Sequence, residues 1–188
     1  MSIDKRIQRT NLALRNSFMD LSKIHKYRNI TVKELTDNAK INRKTFYLHY
    51  DSIDDFVNTF ADEMASQLLV IIAGKSLHDT LTHPGDLFDS IVDYFEQSRD
   101  FYAFIITSDD YSFLSRRVER IVCEGFATAL KDEFNISQID AYISASFIIR
   151  NTLMLFRLFE KGQVRLTKNE FKDRLIRLNQ SGLKTFLN

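Results

Sequence analysis

"ITVKELTDNAKINRKTFYLHY", residues 30–50, is the stretch from which the rest of the chain can be read. Thr31 followed by Glu34 is a capping-box pattern. The hydroxyl accepts from the Glu34 amide while the Glu34 carboxylate reaches back to the Thr31 amide. Val32, Leu35 and Ala39 fall on one face of the short helix that this cap starts. Asn42 is a second N-cap after only a few residues, and it opens "RKTFYLHY". There the spacing turns Ile41, Phe46 and Tyr50 inward and leaves Arg43, Lys44, Thr45 and Tyr47 on the other side. Two short, tightly joined helices preceded by a longer one make a helix-turn-helix, with the second short helix as the reading element.

Upstream, Ile7, Leu14, Phe18, Leu21 and Ile24 recur at helical spacing and predict one apolar stripe on a first helix, which Arg28-Asn29 ends. Arg6, Arg9 and Arg15 lie largely off that stripe. Downstream, Ser52 with Asp55 starts a longer helix that stops near Gly74. "SLHDTLTHPGD" (76–86) is expected to be a turn-rich linker, with Asp86 starting the next helix, "LFDSIVDYFEQS". "RDFYAFIITSDD" reads as a short apolar helix and an acidic loop, and residues 111–134 as a long amphipathic helix. Residues 137–162 follow, with a stop at Gly162, and a last helix begins at Thr167 with Glu170 as its capping partner. About nine helices and no convincing strand make the expected fold all-α. The expected division is a three-helix helix-turn-helix domain over 1–52 and a larger helical domain over 53–188.

Composition agrees with this reading. Only 5 Gly and 1 Pro in 188 residues disfavour a sheet, which needs frequent turns, and 16 Phe and 7 Tyr can fill a core without disulfides. Cys123 has no internal partner, which fits a reducing compartment. Neither a signal-peptide pattern nor an unbroken apolar run of membrane-spanning length is present, "LLVIIA" (68–73) being far too short. A cytoplasmic protein without a membrane partner is expected. The net charge is only +1, but its distribution is uneven. Residues 1–50 carry 11 Lys or Arg against 4 Asp or Glu (+7), and residues 51–188 carry 15 against 21 (−6). A basic head on an acidic body suggests a polyanion at one end; chance clustering on solvated faces is the alternative.

No enzyme or metal pattern emerges. His25, His49, His78 and His83 lack zinc spacing, no Gly-rich phosphate loop occurs, and no catalytic pair or cofactor site can be assembled. Cys123, beside Glu124, reads as a structural thiol.

With "ITVKEL" as second helix, "INRKTFYLHY" as reading helix and "DSIDDF" opening the fourth, residues 5–60 closely resemble the DNA-binding domain of TetR-family (tetracycline-repressor) regulators. The chain departs from that pattern twice. Lys40 stands where the family usually has a turn Gly, and Ile53 stands where it often has a Lys. Glycine there allows a left-handed backbone, so Lys40 carries a modest penalty unless the turn differs, and Ile53 is expected to lose a phosphate contact. The resemblance implies a homodimer that binds a palindromic operator in double-stranded DNA. The DNA-contacting set is Thr31, Lys33, Lys40, Asn42, Arg43, Lys44, Thr45, Tyr47 and His49. Arg43 and Lys44 can donate to guanine O6 and N7, and the Thr45 methyl can meet a thymine methyl. Tyr47 and His49 can donate to phosphates, and the amides at the Thr31 and Asn42 helix starts are further anion sites. For Tyr47 and Tyr50 packing is the competing role, and for His49 a helix cap.

For the second domain the resemblance implies dimerisation through the last two long helices and a small-molecule effector. Ala141, Ile143, Phe147, Ile148, Leu153, Met154, Leu155, Phe156, Leu158 and Phe159 leave the penultimate helix almost no polar side. Phe171, Leu175, Leu178, Leu183 and Phe186 stripe the last one, and either helix can equally fill an intrachain core. Candidate effector contacts are Phe101, Tyr102, Phe104, Tyr111, Phe126 and Arg150. The aromatics can also be plain core. Arg150, in the middle of an apolar helix, requires either a structural carboxylate or an anionic ligand. Repression is the default mode, with activation as the alternative. A rival from another class is a helical protein-interaction module with weak or no operator binding, and a third is a ligand carrier.

Overall fold

Side-chain caps start most of the helices of this protein, and left-handed residues stop several of them. The computed structural model describes residues 2–74, 76–82, 84–96 and 104–184. Its elements are α1 (Ser2–Ser22), a 3-10 turn (Tyr27–Asn29), α2 (Val32–Ala39), α3 (Arg43–Tyr47), α4 (Ile53–Ala73), α5 (Leu77–Thr82), α6 (Pro84–Glu96), α7 (Ser112–Phe134), α8 (Gln138–Glu160) and α9 (Lys168–Lys184). A helical turn also lies at 104–107, and no strand occurs among the described residues. The fold is all-α. The chain forms two compact units, Met1–Phe60 and Ala61–Asn188.

In the first unit Leu14, Phe18 and Leu21 of α1 are buried together with Leu35, Phe46, Phe56 and Phe60. The rings of Phe18, Phe46, Tyr50, Phe56 and Phe60 meet at centroid distances of 4.9–6.1 Å, within the range of favourable aromatic pairs. The first turns of α4 thus complete this core. Ile24 departs from the expected stripe: α1 already ends at Ser22, and Ile24 is exposed in the turn beyond it. Two buried polar groups had no signature in the sequence pattern. Ser17 Oγ donates to the Leu35 carbonyl at 2.8 Å and accepts from Asn38 Nδ2 at 3.1 Å, pinning α1 to α2. Thr36 returns its hydroxyl to the Val32 carbonyl at 2.8 Å.

The end of α2 tests the unusual Lys40. The Ile41 amide donates to the Thr36 carbonyl at 2.9 Å and the Lys40 amide to the Asp37 carbonyl at 3.2 Å. This is the paired bonding of a Schellman stop, and it places Lys40 at φ 56°, ψ 40°. The turn keeps the left-handed geometry that suits glycine, so a side chain is carried there at a cost. Lys40→Gly should therefore stabilise the first unit by about 1 kcal/mol. That gain raises its thermal midpoint by about 4–8 °C, readable by scanning calorimetry. After α8 the same stop is built with Gly162 at φ 66°: Gly162 N donates to Phe159 O and Gln163 N to Leu158 O, both at 3.0 Å.

The second unit corrects the expected linker. Residues 77–82 form α5, with Ser76 Oγ accepting from the Asp79 amide at 3.4 Å. α6 begins at Pro84 rather than Asp86, because proline at a first helical position needs no N–H and has its φ preset. One buried cluster joins Phe88 and Val92 of α6 to Phe156 of α8 and to Phe171 and Leu175 of α9. Arg117 on α7 grips Asp62 on α4 through Nε and Nη2 at 2.5 and 2.9 Å. Gly125 lets α7 approach α4, since a Cβ there would lie 2.6 Å from a Leu69 methyl.

The start of α9 is a complete capping box. Glu170 N donates to Thr167 Oγ1 at 3.3 Å, and Thr167 N donates to Glu170 Oε2 at 2.8 Å. The Thr167 amide, then its hydroxyl, hold the Glu170 carboxyl below the ordinary glutamate range. A depressed folded-state value gives stability that is present above the unfolded pKa of about 4.3. That stability is lost as pH falls through the folded value. The difference in urea midpoint between wild type and Glu170→Ala should therefore be constant near neutrality and shrink on acidification below about pH 4.3.

Candidate nucleic-acid interface

Both helix starts of the α2–turn–α3 segment carry the expected side-chain cap, but the expected return bond from the Glu34 carboxylate to the Thr31 amide does not form. Thr31 Oγ1 accepts from the Glu34 amide at 3.1 Å, and Asn42 Oδ1 accepts from the Lys44 amide at 2.8 Å. Each cap occupies one of the amides otherwise open to an anion. The Glu34 carboxylate meets His25 Nε2 at 3.0 Å, the partner that folding supplies for it. With these caps in place, α3 presents one buried residue, Phe46, toward the core.

Thr31, Lys33, Lys40, Asn42, Arg43, Lys44, Tyr47 and His49 are exposed, and Thr45 is half-buried. They share the segment from Thr31 to His49, and none of Lys33, Lys40, Arg43 and Lys44 is held in an ion pair among the described residues. Tyr47 is 50% exposed, whereas Tyr50 is half-buried against Phe46 and Phe56, with its hydroxyl donating to Asn11 Oδ1 at 3.1 Å. The two tyrosines therefore serve differently: Tyr50 holds α1, α3 and α4 together, and Tyr47 is available. Tyr27 in the 3-10 turn donates to Asp54 at the start of α4, fixing the flank of the segment. Leu48, which the spacing did not single out, is 78% exposed directly beside Tyr47.

Four of the six residues considered for an effector are described. Phe101 and Tyr102 lie outside the described residues. Phe104 packs its ring 4.8 Å from that of Tyr111. Tyr111 and Phe126 are buried, and burial, then Asp110, push the Tyr111 hydroxyl up to about 12. Burial likewise pushes the Cys123 thiol up to about 11, keeping it protonated. Arg150 is not enclosed in its own chain. Its guanidinium is exposed, and Nε donates to Glu119 Oε1 at 2.8 Å, so a carboxylate is its partner. Arg157 is the guanidinium that folding draws in, donating to the Ile106 carbonyl at 2.9 Å and to Ser115 Oγ at 2.8 Å.

An apolar cavity of about 50 Å³ lies between α4, α6, α7 and α8, lined by Leu68, Ile72, Ile91, Val122, Leu153 and Phe156 among others, with Glu119 and Thr152 at its wall. Phe104, Tyr111, Phe126 and Arg150 do not line it. Such a space is far below the 300–1,000 Å³ or so of a formed ligand site. Among the described residues no cluster of His, Cys, Asp or Glu could hold a metal ion. α4 and α8 are long and apolar enough to cross a membrane by length and composition, although the sequence contains no unbroken apolar run of that length. The apolar window of α4 is 44% buried and that of α8 only 22%. On α8, Ile139, Ile143, Phe147 and Met154 are exposed at spacings of one helix face, and Leu178 is exposed on α9. Phe171 and Leu175 are core; Phe186 and the side chain of Leu183 lie outside the described residues.

No family model matches the chain. An uncharacterized HTH-type transcriptional regulator, YxbF of Bacillus subtilis (strain 168), is 32% identical over 68 residues, 36% of this chain. That match spans only 18% of the relative's own length. Among solved structures, a TetR transcriptional regulator from Streptococcus agalactiae 2603V superposes with a TM-score of 0.65 at 21% identity, covering 97% of this chain and 98% of its own. The TetR family repressor AlkX from Dietzia sp. strain DQ12-45-1b, implicated in biodegradation of n-alkanes, gives 0.56 at 13% identity over 95% and 97%. The dihydroxyacetone kinase operon activator DhaS gives 0.55 at 16% over 94% and 97%. The chain shares the fold of these regulators over 94–97% of its length.

Proposed function

We propose that this chain, built on the TetR-type fold, is a DNA-binding transcriptional regulator that reads a palindromic operator as a homodimer and acts in the cytoplasm. The observation that carries the reading is the exposed set Lys33, Lys40, Arg43, Lys44, Tyr47 and His49 on a capped helix-turn-helix whose opposite side is core. Cations free of ion pairs beside outward polar groups suit phosphates and guanine edges. The 32% identity to a helix-turn-helix regulator supports the same role. The sign of regulation is repression by analogy, and the structural neighbours include a repressor and an activator.

The test is selection from randomised duplexes at two salt concentrations with wild type and an Arg43→Ala/Lys44→Ala variant. Recovery of a palindrome by wild type alone supports the reading. Equal weak binding by both proteins overturns it and favours a protein-interaction module.

Dimerisation is supported by the apolar, largely uncovered face of α8, Ile139, Ile143, Phe147 and Met154, with Leu178 on α9. Isolated charges on such a face prevent it from being buried. Ile143→Glu/Phe147→Glu should sediment as a monomer where wild type is a dimer, and its operator affinity should fall because the linked second head is lost. An effector that prefers one arrangement of the dimer would shift its population and so its operator affinity. The cavity of about 50 Å³ would have to open to admit a ligand larger than a few atoms.

A further inference from the structure

Leu48 is the most exposed large apolar side chain among the described residues, at 78%. Solitary exposed leucines are common and need no explanation. This one has a specific setting. Its amide closes α3 on the Lys44 carbonyl at 3.1 Å with helical backbone angles (φ −76°, ψ −18°). It therefore stands one helical turn beyond Lys44 on the same face. Tyr47 and His49, its neighbours in sequence, are exposed as well. Thr45, by contrast, is half-buried.

In the major groove the one apolar feature of a base edge is the thymine C5-methyl group. We infer that Leu48 is a specificity-determining residue that reads a thymine methyl within each operator half-site. The inference rests on the DNA-binding reading proposed above. Four residues along a helix advance about 6 Å, so the thymine lies within about two base pairs of the base that Lys44 contacts.

The experiment uses the full chain and the palindrome recovered from the selection. Each half-site thymine is replaced in turn by 2′-deoxyuridine, which removes only the methyl group, and each duplex is titrated with wild type and Leu48→Ala. At one symmetric thymine, deoxyuridine should weaken wild-type binding by about fourfold per half-site, the worth of one buried methyl group. Leu48→Ala should bind the thymine duplex more weakly and lose nothing further on the deoxyuridine duplex. Its binding to an unrelated duplex at low salt should match wild type, which separates a lost contact from a damaged fold. If Leu48→Ala shows the same loss at every deoxyuridine position as wild type, or binds the operator equally tightly, the assignment is overturned while the DNA-binding reading stands. If wild type enriches no palindrome, both fall.

Discussion

Replacing Arg43 and Lys44 together by alanine should lower operator affinity by roughly 30-fold to 10⁴-fold per reading head, since each base contact of this kind is worth about 1–3 kcal/mol. Both side chains are exposed on α3 and free of ion pairs among the described residues. Their loss should not disturb the core, which α3 enters through Phe46. The stability of the variant should therefore stay within about 0.5 kcal/mol of wild type, as read by thermal unfolding. The diagnostic is the pattern of loss. Removing base contacts flattens the preference between the operator and mismatched sites. Removing a phosphate-facing charge, as in Lys33→Ala, weakens all duplexes alike and reduces the log–log salt slope by about 0.9 for each phosphate no longer neutralised. Titration of matched and mismatched duplexes at several salt concentrations distinguishes the two. If Arg43→Ala/Lys44→Ala reduces affinity uniformly, these residues are electrostatic anchors rather than readers.

Phe18→Ala should abolish operator binding from a position that touches no proposed DNA contact. Phe18 is fully buried, with its ring 6.1 Å from Phe56 in an edge arrangement and 5.5 Å from Phe60. Removing such a ring costs about 3–5 kcal/mol through lost burial and the cavity left behind. A unit of this size has net stability near the lower end of the usual range of about 5–15 kcal/mol. The substitution therefore consumes most of what holds α1–α3 together. The second unit has its own buried cluster of Phe88, Val92, Phe156, Phe171 and Leu175, which Phe18 does not join. Amide exchange followed by mass spectrometry should show protection lost across α1–α3 and retained across α7–α9. Uniform loss in both units would mean that they unfold as one.

Features that depend on a few neighbouring residues were readable from the chain itself. The caps at Thr31, Asn42, Ser52 and Thr167 and the stop at Gly162 lie where the spacing put them. A cap spans four residues, and its partners are fixed by covalent distance. The same locality made α7 legible, because a long amphipathic pattern admits one period, and bounded α8 by its stop at Gly162. It also separated the outward from the inward side of α3. What required the tertiary structure were choices among partners distant in sequence. Glu34 could return to its own helix start, yet His25 meets its carboxylate. Arg150 could have needed a ligand, yet α7 brings Glu119 to it. Residues 77–82 fall in a stretch whose Pro84-Gly85 reads as a linker, yet they are helical behind the Ser76 cap. Lys40 could have relaxed its turn, yet the Schellman stop holds it left-handed. Above all, apolar character does not say what covers a side chain. Phe18 is enclosed by rings from α4, whereas Leu48 and Phe147 remain uncovered, and only packing distinguishes them.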